Sequence, residues 1–209
     1  EVDAESGVPR HAKTGEPVEL GPIEKMSKSK KNVVAPEVIA NSVGVDAARW
    51  FVLSDSPPER DVEWTEAGVN GAWKLVNRIW DLAEPHEGLL KRTPREPRPG
   101  EREKTEIAAS TELRRATHAT IAGVTDDIEH FRFNKAIARV YEFLNVLKRA
   151  DAAEDPARAE ALYALARLIA PFTPHLAEEI HEHLGGEGFV VDAPWPKADP
   201  ALLVKSTVV

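Results

Sequence analysis

From Thr65 to Leu184 apolar residues return every three or four positions wherever proline and glycine do not intervene, and a stripe of that period commits the chain to helices burying one face on each other. The first stripe is Val69, Ala72, Trp73, Val76, Ile79, Trp80 and Ala83, behind an N-cap at Thr65 followed by Glu66. Lys74 and Arg78 stand on the opposite face. Residues 85–100 hold Pro85, Pro94, Pro97 and Pro99 and read as a proline-rich connector. A second helix over 103–129 carries Ile107, Leu113, Ile121, Val124 and Ile128, with Gly123 weakening its centre. The third begins near Asn134 and sets Ile137, Val140, Tyr141, Leu144 and Leu147 on one side, Lys135 and Arg139 on the other. Asp155-Pro156 opens a fourth, with Leu162, Leu165, Leu168, Ile169 and Phe172. Thr173-Pro174 opens a fifth, with Leu176, Ile180 and Leu184 inward and Gly185-Gly186 as its stop. Joined by short or proline-rich loops, such helices pack antiparallel, so the expected fold class is mainly α, a helix bundle.

What precedes the bundle is polar. Residues 1–22 read as a small β-hairpin, turning at Thr14-Gly15-Glu16-Pro17 and leaving along Val18-Glu19-Leu20. Then comes Glu-Lys-Met-Ser-Lys-Ser-Lys-Lys at 24–31, a cationic loop in which only Met26 is bulky and apolar. Lysine ammonium groups are mobile point charges with three donors each, and serine hydroxyls reorient freely, so such a loop can follow a triphosphate as its charge redistributes. Contacts that tighten in the transition state raise rate rather than affinity alone. With so little to pin it, the loop is expected to be mobile until nucleotide arrives. Pro36 then opens a short helix with Val38 and Ile39 as a small buried face. Residues 43–45 break it, and Asp46 caps the next, which carries Ala47, Trp50, Phe51 and Leu53 and stops before Pro57-Pro58.

Composition removes several classes. The 209 residues are 42% hydrophobic, enough for a proper core, and contain no cysteine, which excludes disulfides and cysteine-held zinc and fits a cytoplasmic protein. No apolar run approaches bilayer length, and the first residues, Glu-Val-Asp-Ala-Glu, are unlike a signal peptide, so no membrane is expected. A net charge of −8 argues against coating nucleic acid, so any RNA contact must be local. His175, His181 and His183 near Glu178 and Glu179 are not spaced to share a metal, and no metal site is expected. The tryptophans read as packing residues rather than base-stacking platforms, Trp73 and Trp80 lying within the first stripe. The single methionine is Met26 and the end, Ser-Thr-Val-Val, reads as a strand just begun, so a piece of a longer protein, monomeric, is expected.

Lys25-Met26-Ser27-Lys28-Ser29 matches the signature loop of class I aminoacyl-tRNA synthetases, and the chain beyond it resembles the leucyl-tRNA synthetase family. The resemblance covers 20–34, 45–51, 54–64, Phe-Asn-Lys-Ala-Ile-Ala at 133–138 and Ala-Pro-Phe-Thr-Pro-His-Leu-Ala-Glu-Glu-Ile at 170–180. The valyl, isoleucyl and methionyl families share the layout and remain alternatives, as does a non-catalytic helical RNA-binding module. Two positions depart from the pattern: Lys31 stands where these families often have glycine, and His181 where leucyl enzymes often have tryptophan. The resemblance implies three parts: 1–60 as the end of a catalytic domain with the signature loop and a stem-contact segment, 61–188 as an anticodon-binding helix bundle, and 189–209 as an extended tail. It implies ATP-dependent attachment of leucine to tRNA(Leu), with ATP and Mg2+ used by the parent enzyme. Lys28 would bind the ATP phosphates and stabilise the transition state with Lys25, Ser27 and Ser29 in support and Met26 near the adenine. The rest of the active site is not in this sequence, so no nucleotide is expected on the chain alone and it is expected to be inactive alone. For tRNA the candidates are Lys74, Arg78, Arg132, Lys135 and Arg139, gripping backbone phosphates.

Overall fold

A computed structural model describes residues 9–11, 13–19, 21–91, 101–150 and 155–204, the side chains of 101–107 and 155 excepted. The chain divides into two compact units, Glu1–Ala35 and Pro36–Val209. In the first, an isolated antiparallel bridge joins Arg10 and Pro17. Gly15, at φ +70°, makes the tight turn, and the Val18 N–H donates to the Pro9 carbonyl at 2.9 Å. The expected hairpin is thus a loop closed by one bridge, and Val18 and Glu19 do not form a strand. Leu20 lies outside the described residues.

The second unit is helical: α1 Pro36–Val43, α2 Val45–Asp55, α3 Glu66–Ala83, α4 Glu101–Glu129, α5 Phe133–Arg149, α6 Asp155–Ile169, α7 Pro174–His183 and α8 Pro200–Leu203. The long helices fall where the apolar period places them, and α4 packs on α5 and α6 while α2 packs on α3 and α5. The core is Trp50, Ile79, Leu113, Ile137, Leu144, Leu165 and Phe172, each buried to within 1%. Around Trp50 the rings of Tyr141 and Phe172 stand edge-on, both with centroids 6.0 Å away. At about 25 cal/mol per Å² of apolar surface removed from water, residues of this size dominate the free energy that holds the bundle closed.

Four expectations need correction. In α1 no residue is buried and Val38 is 63% exposed, because the helix is short and only its flank meets α2 and α3. Asp46 does not cap α2: Gly44, at φ +85°, occupies that position, and the Asp46 carboxylate turns to α7. Trp73 is 45% exposed, since the buried positions of α3 are Val69, Ala72, Leu75, Ile79 and Ala83, one residue out of step with it. The tail is not all extended: Val190–Asp192 is a 3-10 turn, and Asp199 accepts from the Ala201 N–H at 2.9 Å to start α8 on Pro200. Its last residues, 205–209, lie outside the described residues, as do 92–100 of the connector.

Candidate functional site: the signature loop and the basic helix faces

Locally, the loop is built around one side chain. Asn32 Oδ1 accepts the Ser27 N–H at 2.8 Å while its Nδ2 donates to the Lys25 carbonyl at 3.3 Å, closing the segment into a ring. Inside it the Lys30 N–H donates to Ser27 Oγ at 3.2 Å, and the Ser27 and Ser29 hydroxyls lie 3.2 Å apart. The turn at 28–31 ends with the Lys31 N–H donating to the Lys28 carbonyl at 3.2 Å. Lys31 holds φ +55°, the left-handed conformation that favours glycine, which is a physical reason for glycine at that position in the similar families. Lys30 is tied to Glu24 at 2.9 Å, whereas Lys25 and Lys28 are exposed and form no ion pair among the described residues. Met26 is 41% exposed. The loop therefore offers two uncommitted ammonium groups and two hydroxyls on one short turn, a donor set suited to phosphate oxygens. The sequence reading missed Asn32, whose amide could have been noticed as a local loop-closing group.

The five basic candidates on the bundle separate by what they already touch. Arg132 Nε and Arg139 Nε donate to the two oxygens of Asp127, at 2.8 and 2.6 Å, and Arg132 Nη2 also pairs with Asp126. The Asp127 side chain is 2% exposed. Burial alone would raise its pKa; the hydrogen bonds and charges of Arg139 and Arg132 outweigh that and hold it below the ordinary carboxylate value. Gly123 makes this possible: a Cβ there would lie 2.7 Å from Arg139 Cδ, so the glycine is what lets Arg139 cross α4. Arg78 Nη2 donates to Asn145 Oδ1 at 2.7 Å, joining α3 to α5. Lys74 and Lys135 are exposed without an acid partner among the described residues.

The three histidines weighed as metal ligands each meet a different partner. His181, 1% exposed, stacks on Tyr163 with ring centroids 5.4 Å apart, and its Nε2 donates to the Glu187 carbonyl at 3.2 Å. A Cβ on Gly186 would sit 2.3 Å from that ring, so the second glycine of the pair makes room for it. His183 Nε2 donates to the Glu84 carbonyl at 2.7 Å, and His175 Nδ1 lies 2.9 Å from Asp46. Among the described residues no group of three His, Asp or Glu side chains could hold a metal ion, and no helix is long and apolar enough to cross a membrane.

Residues 110–208 match the family model of the anticodon-binding domain of tRNA ligase, and residues 21–65 that of class I tRNA synthetases (I, L, M and V). The chain is 57% identical over 198 residues to the leucine–tRNA ligase of Caulobacter vibrioides strain NA1000, covering 92% of this chain and 22% of that protein. It is 52% identical over 212 residues to the leucine–tRNA ligase of Maricaulis maris, covering 100% of this chain and 24% of that protein. Among solved structures it is similar to the LeuRS of Agrobacterium radiobacter K84, crystallised as a LeuRS-tRNA-LeuAMS ternary complex. That likeness has a TM-score of 0.75 at 29% identity and covers 86% of this chain and 23% of that one. The chain thus spans less than a quarter of the length of the relatives it matches. Over the residues it spans, with the signature loop at one end and the anticodon-binding type of helical domain at the other, it belongs to the leucine–tRNA ligase family of class I tRNA synthetases.

Proposed function

We propose that this chain supplies the ATP-phosphate loop and a tRNA-contacting helix bundle to a cytoplasmic enzyme that attaches leucine to tRNA(Leu). The observation that carries the reading is the uncommitted pair Lys25 and Lys28 on a turn closed by Asn32, in a chain otherwise so like leucine–tRNA ligases. In the first step the leucine carboxylate attacks the α-phosphorus of ATP and pyrophosphate leaves. Lys28 stabilises the charge that moves onto the leaving phosphates, with Lys25, Ser27 and Ser29 as further donors and Met26 against the adenine. In the second, a hydroxyl of the tRNA's terminal ribose attacks the leucyl carbonyl of the adenylate, an ester forms and AMP leaves. The described residues offer no cage for Mg2+, and no step is assigned to that ion. Residues 1–60 are the end of the catalytic domain with the stem-contact segment, 61–188 the bundle, and 189–209 the tail that leaves it. The chain alone forms no leucyl-adenylate, and the parent enzyme is a monomer.

For tRNA, Lys74 and Lys135 are the first choice, because neither must give up an acid partner to meet a phosphate. Arg78, Arg132 and Arg139 would have to share their existing bonds. Binding of tRNA(Leu) by the chain, measured against salt, tests this. The Lys74→Ala, Lys135→Ala double variant should lower the salt slope by roughly 2 if each lysine neutralises one phosphate. An unchanged affinity and slope would remove both lysines from the interface.

A further inference from the structure

The segment 190–199 lies along the bundle, tied by side chains rather than by a ladder. Glu178 accepts the N–H groups of Val190 and Val191 at 2.7 and 3.3 Å, Arg167 Nη1 donates to the Pro194 carbonyl at 3.1 Å, and Trp195 Nε1 donates to Thr125 Oγ1 at 2.9 Å. Between this strap and the α6–α7 turn remains a cleft of about 330 Å³, walled by Ala170, Pro171, Pro174, Val190, Val191 and Trp195. Its size and its apolar walls are those of a site for a small organic molecule.

Two charged residues line it, and they are not equivalent. The Arg167 guanidinium carbon lies 4.1 Å from the centre of the Tyr163 ring, and Nε donates to the Tyr163 carbonyl at 3.3 Å. No carboxylate lies within ion-pair distance of it among the described residues, and its Nη2 has no protein partner there. Burial pulls its pKa below the ordinary value, so the cation is held at a cost that an arriving anion would relieve. Glu178, by contrast, has both oxygens under backbone N–H groups. Its negative charge is thereby partly answered, yet enough remains to disfavour a ligand with two negative charges.

We propose that this cleft binds a small monoanion carried on an apolar body, an alkyl or aryl carboxylate, with the carboxylate on Arg167 and the apolar part against Val190, Val191 and Trp195. No residue of the cleft belongs to the signature loop or to the basic candidates on the helices, and the proposal stands whether or not the tRNA assignment holds.

Amide and indole proton NMR of the intact chain, titrated with 4-phenylbutyrate and separately with the uncharged 4-phenylbutanol, tests it. The acid should shift the Val190 and Val191 amides and the Trp195 indole N–H saturably, and should bind about tenfold more tightly than the alcohol, the gain of one charged hydrogen-bonded contact. Arg167→Gln should bring the acid to the level of the alcohol, and Glu178→Gln should tighten the acid. Equal binding of acid and alcohol overturns the proposal, as does failure of those signals to saturate by about 10 mM, a weak limit for a ligand of this size. Where Arg167→Gln loses its folded spectrum, the comparison of acid with alcohol on the unsubstituted chain decides alone.

Discussion

Among the described residues two non-glycine residues hold left-handed backbone, Lys31 at φ +55° and Phe131 at φ +57°. Phe131 sits where a helix-ending motif wants glycine: its N–H donates to the Ile128 carbonyl at 3.0 Å and the next N–H, of Arg132, to the Asp127 carbonyl at 2.7 Å. Substituting glycine at either place should stabilise the chain by about 1 kcal/mol, read in a denaturant melt as a higher midpoint with unchanged slope. A lower midpoint for Phe131→Gly would mean that the ring's contact with Phe133, centroids 5.8 Å apart, outweighs the backbone strain. Asp127 gives a pH prediction. Its folded carboxyl titrates below the unfolded one, so the stability it contributes is complete above about pH 4 and is lost as pH falls through the folded value. Asp127→Asn should destabilise by about 2 kcal/mol at neutral pH and flatten the loss of stability on acidification. An acid limb as steep as that of the unsubstituted chain would contradict it. Glu160 adds to the same limb: burial would raise its carboxyl, but bonds from Arg114 at 2.7 Å and His118 at 2.8 Å lower it. The loop lysines and serines could be picked out of the sequence as a cluster of donors, because their chemistry lies in their side chains. Asp127 could not, because nothing in the spacing of Asp127, Arg132 and Arg139 says that Gly123 opens a path between them.

At the scale of elements, the long helices were legible and the short ones were not. Periodicity placed α3 to α7 because a stripe of several turns records which way a helix faces. It misjudged α1, too short to record a face, and α8, where Asp199-Pro200 carried the start signal without a stripe behind it. The cap of α7 shows why contacts distant in sequence escape such a reading. Thr173, the residue expected to open the helix, makes no cap bond to it, and Asp46 from α2 does instead, accepting the Leu176 N–H at 2.7 Å. Arg49, one turn further along α2, donates to the Phe172 and Pro171 carbonyls at 3.2 and 2.7 Å, so α2 holds the α6–α7 turn from both sides. Asp46→Ala should cost about 2 kcal/mol, since it leaves buried donors unanswered, and should speed amide exchange at Leu176 before other sites in the bundle. Uniform exchange across the bundle in that variant would show that the α7 cap is not a local lock.

For the whole molecule, the proposed function joins the donors of the loop to a helical scaffold, over a span of less than a quarter of the relatives' length. The family was legible from the loop and from the runs at 20–34, 45–51, 54–64, 133–138 and 170–180, because a resemblance spread in order along the chain is far more specific than five residues alone. The cleft under the strap was not, because it forms only where a tail folds back on α6 and α7. The direct test is a chimera in which this chain replaces the matching segment of the Caulobacter vibrioides leucine–tRNA ligase, 57% identical over 198 residues. Leucylation of tRNA(Leu) should survive to within about tenfold of the parent. Lys28→Ala in the chimera should lower leucine-dependent ATP–pyrophosphate exchange by roughly 10²- to 10³-fold, the usual loss on removing a transition-state charge contact. A soluble, folded chimera that leucylates nothing, or one in which Lys28→Ala exchanges as fast as the unsubstituted chimera, would contradict the account.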